Sequence, residues 1–111
     1  MSLKKELEKQ EEKKQAEIRK MRMPDRDNLE MFGIVQQLHG SDQIRIFCED
    51  GKERMCRIPG KLRKSVWMRE RDIVIIRLWD FQPIKADIIW RYTGTQVEHL
   101  KRKGVLTNLP L

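Results

Sequence analysis

The most informative stretch of the chain is Arg57-Ile58-Pro59-Gly60-Lys61-Leu62-Arg63-Lys64-Ser65-Val66-Trp67. It joins the end of an alternating strand pattern to a Pro-Gly break, a run of cations and an aromatic residue. Proline fixes φ and lacks an N–H, and glycine accepts turn conformations closed to other residues, so the strand has to end at Pro59. Cations beside an indole suit RNA, because they contact phosphates while the ring stacks on a base. The competing interpretation is a solvated basic loop beside a core tryptophan.

The net charge of the chain is concentrated around this stretch. The 111 residues carry a formal charge of +7, from 24 basic and 17 acidic side chains. Residues 51–77 hold 9 basic and 3 acidic side chains, for +6, whereas residues 1–30 hold 9 and 8, for +1. A localised positive field favours a polyanion, and nucleic acid is the commonest large one.

The rest of the chain has the pattern of a small β domain. Asp50-Gly51 is a strong hairpin signal between two alternating runs, and Gly33 inside a strand indicates a bulge or a tight bend. The expected strands are residues 31–38, 43–48, 52–58, 72–78 and 86–92, with residues 79–85 as a loop that contains Pro83. Five strands with a break after the third predict a Greek-key barrel of the oligonucleotide-binding fold. An SH3-like barrel is the alternative, and it accounts less well for that break.

The alternation also predicts the orientation of side chains in the second and third strands. The side chains expected to face the core are Ile44, Ile46, Cys48, Cys56 and Ile58. The side chains expected on the outer face are Arg45, Phe47, Met55 and Arg57.

Composition and punctuation divide the chain into three parts. Residues 1–23 are a Lys/Glu-rich arm, helical or disordered, that ends at Pro24. Residues 24–92 are the barrel. Residues 93–111 are a helix and tail, with Thr93 or Thr95 as the N-cap and Gly104 as the stop. No apolar run approaches the ~18 residues of a membrane span, and the N-terminus does not resemble a signal segment, which favours a cytoplasmic protein.

The sequence offers little for catalysis or for a cofactor. Gly60-Lys61 lacks the other residues of a phosphate-cradling loop, and neither histidine has a partner carboxylate at a recognisable spacing. The seven residues between Cys48 and Cys56 do not match a zinc site, so both cysteines are interpreted as small core residues. We expect no enzymatic activity, no metal and no cofactor.

Binding of RNA is better supported than catalysis. The residues predicted to contact RNA are Arg45, Phe47, Arg54, Arg57, Lys61, Arg63, Lys64, Trp67, Arg69 and Arg71. Among them, Trp67 is a candidate for base stacking, and Phe47 is expected to share the outer face with Arg45. For Trp67, a plug at the end of the barrel is an equally good interpretation, because an indole serves both purposes.

Several of these motifs, taken in order over residues 29–104, resemble the archaeal/eukaryotic translation initiation factor 1A family. They are Asp50-Gly51-Lys52, Ile58-Pro59-Gly60-Lys61-Leu62-Arg63-Lys64-Ser65-Val66-Trp67, Trp79-Asp80-Phe81-Gln82 and Lys85-Ala86-Asp87-Ile88-Ile89-Trp90-Arg91-Tyr92. The resemblance implies an S1-like barrel followed by helical structure. It also implies RNA contacts at Lys61, Arg63, Lys64 and Trp67.

The same resemblance implies a function. Members of the family bind the decoding (A-site) region of the small ribosomal subunit and help to recruit initiator tRNA and to select the start site. The implied partners are small-subunit RNA with a neighbouring ribosomal protein, the initiator tRNA complex and other initiation factors, and the free protein is expected to be a monomer. Two departures, Gln43 in place of a basic residue and the absence of a long acidic C-terminal tail, make the archaeal form the closer match.

Other functions remain open from the residues alone. A general chaperone of single-stranded RNA would use the same cations, and a protein-interaction adaptor would use the N-terminal helix. The apolar C-terminal end also has two interpretations: Leu106, Leu109 and Leu111 either dock a partner, expected to be another initiation factor, or fold back on the barrel.

Overall fold

A computed structural model describes residues 3–40, 42–60 and 68–111. The helices are α1 (Leu3–Lys20), a short 3-10 helix (Arg26–Asn28) and α2 (Gly94–Arg102). The strands are β1 (Glu30–His39), β2 (Gln43–Cys48), β3 (Glu53–Arg57), β4 (Ile73–Trp79) and β5 (Gln82–Arg91). No helix in these residues is both long enough and apolar enough to span a membrane.

The strands close into a barrel in the order β1-β2-β3-β5-β4. The long strand β1 pairs antiparallel with both β2 and β4, and the parallel pair β3–β5 completes the ring. A closed barrel leaves no free sheet edge, which suits a domain too small to cover edges with helices. The predicted five-stranded oligonucleotide-binding barrel with a C-terminal helix is confirmed.

Gly33 has a different role from the one predicted. The irregularity in β1 lies further on, between Val35 and Gln37, where the register against β2 shifts. Gly33 itself lies where β1 approaches its neighbour closely, because a Cβ at this position would be 2.5 Å from Cγ2 of Ile46. The glycine is therefore needed for space inside the barrel.

The barrel is filled by one apolar cluster. It contains the five side chains predicted to face inward, others from β1, β4 and β5, and Met68 from the chain before β4: Ile44, Ile46, Cys48, Cys56, Ile58, Val35, Val74, Ile76, Ala86, Ile88 and Met68. The two cysteines are free thiols, and burial raises the pKa of both. Among the described residues, no group of three or more His, Cys, Asp or Glu side chains could hold a metal ion.

A second apolar cluster lies under α2. Leu100 of the helix packs on Phe32, Ile73, Ile75 and Tyr92 of the barrel. Thr93 is the N-cap, since its hydroxyl accepts from the Gln96 N–H while the Gln96 side chain accepts from the Thr93 N–H. Gly104 has φ +69 directly after the helix, in the left-handed region that glycine tolerates best.

The C-terminal tail completes this second cluster. Leu106 is 3% exposed and Leu109 is 7% exposed, because both pack against the barrel residues below α2. The tail therefore folds back on the barrel, and neither of these two side chains is available to a partner. Of the three leucines proposed for docking, Leu111 alone is exposed, at 55%.

The N-terminal arm is a helix, one of the two states expected for it, and its end is attached to the barrel. Residues 3–15 of α1 are exposed. Near its end, the Gln96 side chain donates a 2.8 Å hydrogen bond to the carbonyl of Glu17, and the Tyr92 hydroxyl donates to the carbonyl of Arg22. Met21 packs against the second cluster. The division proposed at residues 23/24 thus separates two segments that contact each other.

The prediction of a loop over residues 79–85 is wrong. Strand β4 continues to Trp79 and β5 begins at Gln82, so the turn is confined to Asp80 and Phe81. Pro83 misled the prediction, but it lies in an irregular part of the pairing. Trp79 pairs with Gln82 while Leu78 pairs with Ala86, so residues 83–85 have no partner in β4, and the missing N–H of the proline costs no bond in that ladder.

Removal of residues 105–111 is expected to destabilise the protein. Burial of a leucine side chain contributes about 1.5–3 kcal/mol, so losing Leu106 and Leu109 should cost roughly 3–6 kcal/mol. For a domain of this size, that loss lowers Tm by more than about 10 °C. Thermal unfolding followed by circular dichroism measures it. Removal of the exposed Leu111 alone is the control and should change stability by less than about 0.5 kcal/mol; equal effects of the two truncations would contradict the packing of the tail.

Candidate nucleic-acid interface

One outer surface of the barrel carries exposed cations on neighbouring strands. We define the strand face as the outward side chains of β2, β3 and β5 together with Trp79 at the end of β4, which contacts them. Arg45 lies opposite Met55 in β3, and Met55 lies opposite Lys85 in β5, so these side chains form one row. Arg57 lies opposite Asp87 in the next row. The alternation of β-strands brings all of these side chains to the same side, because every second residue of each strand points outward.

Trp79 organises the centre of the strand face. The guanidinium carbon of Arg57 lies 5.4 Å from the centre of its ring, and the Lys85 ammonium lies 5.5 Å from it. The indole N–H donates to Asp87 at 3.2 Å, and Arg57 donates two further bonds to the same carboxylate at 3.0 and 3.1 Å. Cation–π attraction and these hydrogen bonds hold both cations beside the ring.

A buried carboxylate joins the barrel to the N-terminal arm. The Glu30 side chain is fully buried and accepts from Arg22 and Arg77 at 2.9 Å each and from the Asp25 N–H at 3.0 Å. Burial by itself would raise the pKa of Glu30, but these hydrogen bonds and the two positive charges outweigh it, so the pKa lies below its ordinary value of 4.5. Glu30 thus remains charged and joins the segment after α1 to β4.

The predicted RNA-contacting residues do not all lie on the strand face. Arg45 and Arg57 are exposed there, as expected. Arg69 and Arg71 are exposed too, but Arg71 lies beside Val97 and Leu111, near α2 and the tail. Its backbone N–H donates to the Val35 carbonyl at 2.8 Å. The structure therefore does not bring Arg71 together with Arg45 and Arg57.

The assignment of Arg54 to the RNA-contacting surface is wrong. Its side chain is buried, since the residue is 5% exposed. The guanidinium donates to the Pro83 carbonyl at 2.8 Å and to both oxygens of Asp50 at 3.0 and 2.8 Å. The hydrogen bond from Arg54 lowers the pKa of Asp50, and the same bond raises the pKa of Arg54. Arg54 therefore joins the β2–β3 hairpin to β5, and its charge is balanced locally.

Phe47 also departs from its predicted place. It is half-buried and packs against the second apolar cluster, next to Ile34 in the neighbouring strand. The Phe47 ring therefore packs partly under α2, and it does not lie on the same open surface as Arg45. Lys61, Arg63, Lys64 and Trp67 lie outside the described residues.

Two members of the strand face, Trp79 and Lys85, were missed by the sequence-based site prediction. Both were assigned to the loop that turned out to be strand. The polar residues Lys85 and Asp87 alternate with the apolar residues Ala86 and Ile88, so the strand pattern extends back to Lys85. Pro83 interrupts the pattern just before it, and the prediction therefore began the last strand too late in the sequence.

A five-stranded barrel with cations and an aromatic ring on its β2–β3–β5 side is characteristic of an oligonucleotide-binding domain, since this fold uses the β2–β3 side and the loops around it for nucleic acid. A solved structure, the crystal structure of YjeQ from Thermotoga maritima, matches the fold with a TM-score of 0.50 and 21% identity, over 59% of this chain and 23% of that one. That likeness concerns the fold alone.

Sequence comparison identifies the family. The family model described as Translation initiation factor 1A / IF-1 matches residues 18–109. Translation initiation factor 1A of Archaeoglobus fulgidus is 52% identical over 90 residues, which cover 81% of this chain and 93% of that one. The factor of the same name from Methanopyrus kandleri is 51% identical over 89 residues, which cover 80% and 78%. This chain belongs to the translation initiation factor 1A / IF-1 family, as its sequence motifs predicted.

Replacement of Glu30 by glutamine should destabilise the fold in a pH-dependent way. Loss of the charge that three donors satisfy is expected to cost about 1–3 kcal/mol at neutral pH. A carboxyl group with a lowered folded pKa contributes stability above its unfolded pKa and loses it as the pH falls through the folded pKa. The difference between Glu30→Gln and the unchanged protein should therefore shrink below about pH 4.5.

Urea unfolding at several pH values between 7 and 3 measures this difference. Glu98→Gln, at an exposed position on α2, removes the same charge and serves as the control, with an expected effect below about 0.5 kcal/mol at every pH. A Glu30→Gln difference that is constant down to pH 3 would contradict the role of the buried charge.

Proposed function

We propose that this protein is a translation initiation factor that binds the A-site (decoding) region of the small ribosomal subunit and promotes initiator tRNA recruitment and start-site selection. Membership in the translation initiation factor 1A / IF-1 family over residues 18–109 is the single observation that carries the proposal. The factor acts by binding and positioning, without catalysing a reaction and without a cofactor. It works in the cytoplasm, as a monomer when free.

The mechanism begins with charge. Residues 51–77 carry a net charge of +6, which draws the barrel toward ribosomal RNA and neutralises phosphates. In the proposal, Lys61, Arg63 and Lys64 contact phosphates and Trp67 stacks on an unpaired base. Sequence-specific RNA recognition usually targets such irregular, unstacked elements.

The strand face extends this contact. Arg45 and Lys85 are exposed and are not paired with a carboxylate among the described residues, so their charge is available to phosphates. Arg57 shares its charge with Asp87 and contributes less. Cations fixed in place by Trp79 and Asp87 lose little conformational freedom on binding, which favours a rigid barrel docked in one orientation.

The proposal includes the partners that the resemblance to the family implies. They are small-subunit RNA with a neighbouring ribosomal protein, the initiator tRNA complex and other initiation factors. Because Leu106 and Leu109 are buried, a docking contact with another factor at the C-terminal end would rest on Leu111 and its exposed neighbours. A general chaperone of single-stranded RNA would use the same cations, but it would not distinguish the subunit from an unstructured strand.

The affinity of the protein for small subunits, compared with its affinity for unstructured RNA, distinguishes an initiation factor from a general RNA chaperone. We expect the protein to bind intact small subunits much more tightly than an unstructured oligonucleotide at the same salt concentration. Equal affinity for the two would contradict the ribosomal proposal and support the RNA chaperone.

Reversal of two charges should locate the contact. Lys61→Glu with Lys64→Glu is expected to weaken subunit binding, and each lost phosphate contact should reduce the slope of log K against log salt by roughly 0.7–0.9. Sedimentation binding at several salt concentrations measures both effects. Lys4→Glu with Lys5→Glu changes the net charge equally on the exposed part of α1 and should have a smaller effect on the slope. Identical slopes for the two double variants would move the contact away from residues 61–64.

A further inference from the structure

An open pocket of about 400 Å³ lies between the 3-10 helix and the β4–β5 turn. Its polar and aromatic lining residues are Asn28, Arg57, Arg77, Trp79, Asp80 and Phe81. The pocket borders the strand face through Arg57 and Trp79, but the other four residues form no part of that face. None of these four was predicted to contact RNA.

Phe81 is the most unusual residue of the pocket. It is 87% exposed at the tip of the β4–β5 turn, although phenylalanine is usually buried. Among the described residues its ring lies next to that of Trp79, whose centre is 6.3 Å away at an interplanar angle of 43°. This contact leaves most of the Phe81 ring surface to solvent. An exposed aromatic ring is the element that unpaired bases stack on.

The arginines of the pocket keep hydrogen-bonding capacity. Arg57 uses Nε and Nη2 for Asp87, and Arg77 uses Nη2 for Glu30, so these bonds leave Nη1 of each guanidinium unused. A guanidinium has five N–H donors and binds phosphate oxygens well. The second arginine on Glu30, Arg22, leaves that trio with one surplus positive charge.

The remaining two side chains suit the edge of a base. The Asn28 carboxamide both donates and accepts, and the Asp80 carboxylate accepts from amino or imino groups. Both residues are exposed. Proteins read unpaired RNA bases through such hydrogen bonds to the base edge together with stacking. The Asp80 carboxylate would repel a phosphate bound by itself, but it can accept a hydrogen bond from the amino or imino group of a base.

We propose that this pocket binds one unpaired nucleotide of an RNA strand, with the base stacked on Phe81, its edge at Asn28 and Asp80, and its phosphate at Arg57 and Arg77. The inference rests on the proposed function and deepens it by adding an RNA contact at the β4–β5 turn, which Arg57 at the end of β3 borders.

A protein partner is the rival occupant, because exposed apolar side chains also mark protein-binding surfaces. Unused donors and the exposed ring favour RNA. Arg57 and Arg77 each pair with a carboxylate, but Nη1 of each guanidinium is not used in those bonds, and the Phe81 ring beside them is 87% exposed. Ile84 provides a matched control, because it is 69% exposed on the same hairpin but does not line this pocket.

Phe81→Ala and Ile84→Ala in the full chain test the proposal. The probes are small ribosomal subunits, a single-stranded RNA hexamer, the same hexamer in a duplex, and adenosine monophosphate. Loss of one stacked base should weaken binding to the subunits and to the single-stranded hexamer at least about 5-fold in Phe81→Ala. Ile84→Ala should stay within about 2-fold of the unchanged protein. Both exposed substitutions should leave Tm unchanged, which shows that folding is intact.

Three results would overturn the proposal. The first is equal binding by Phe81→Ala and Ile84→Ala, whether both are normal or both are reduced. The second is hexamer binding that is as tight to duplex as to single strand. The third is full competition by adenosine monophosphate at the strand's own concentration, which would indicate a site for a free nucleotide.

A photo-reactive amino acid at position 81 separates RNA from protein. On small subunits it should crosslink to RNA, and the same group at position 84 should do so much less. Crosslinking of position 81 to a ribosomal protein in place of RNA would overturn the assignment. If the unchanged protein does not bind subunits at all, the proposed function fails, while the hexamer comparison still decides whether the pocket binds an unpaired nucleotide.

Discussion

The parallel pairing of β3 with β5 is the constraint on which the arrangement of the other elements depends. It closes the barrel by placing Met55, Cys56 and Arg57 beside Lys85, Ala86 and Asp87. Parallel neighbours cannot be joined by a tight turn, so the chain between them has to leave the sheet and return through β4. Arg57 reaches Asp87, 30 residues further along the sequence, through this pairing. Trp79 and Lys85 then meet Arg57 as a consequence of the same closure.

Electrostatic balance determines which of the many cations are available. Arg54 is neutralised by Asp50, Arg57 is shared with Asp87, and the two arginines on Glu30 share one carboxylate. These pairs support the structure more than they attract RNA, because a paired cation offers less charge to phosphate. Arg45 and Lys85 on the strand face have no carboxylate partner among the described residues. Exposed cations of this kind produce a field that attracts polyanions.

The sequence predicted the barrel because alternation is a local signal. The inward side chains Ile44, Ile46 and Cys56 were identified correctly from their spacing alone. Arg54 was misassigned although it has the same phase as Cys56, because charge was given more weight than position in the strand. Its partners, Asp50 and the Pro83 carbonyl, become visible only when the barrel closes. Trp79 and the buried Leu106 were missed or misread for the same reason, since their contacts come from distant parts of the chain.

In the proposed function, the barrel occupies the decoding region of the small ribosomal subunit. Chemical footprinting of the subunit RNA with and without the bound protein shows whether it does. We expect protection that is concentrated in the decoding region, reached at saturating protein and reduced by added salt. Protection that is absent, or scattered over the subunit surface without enrichment at the decoding region, would contradict it.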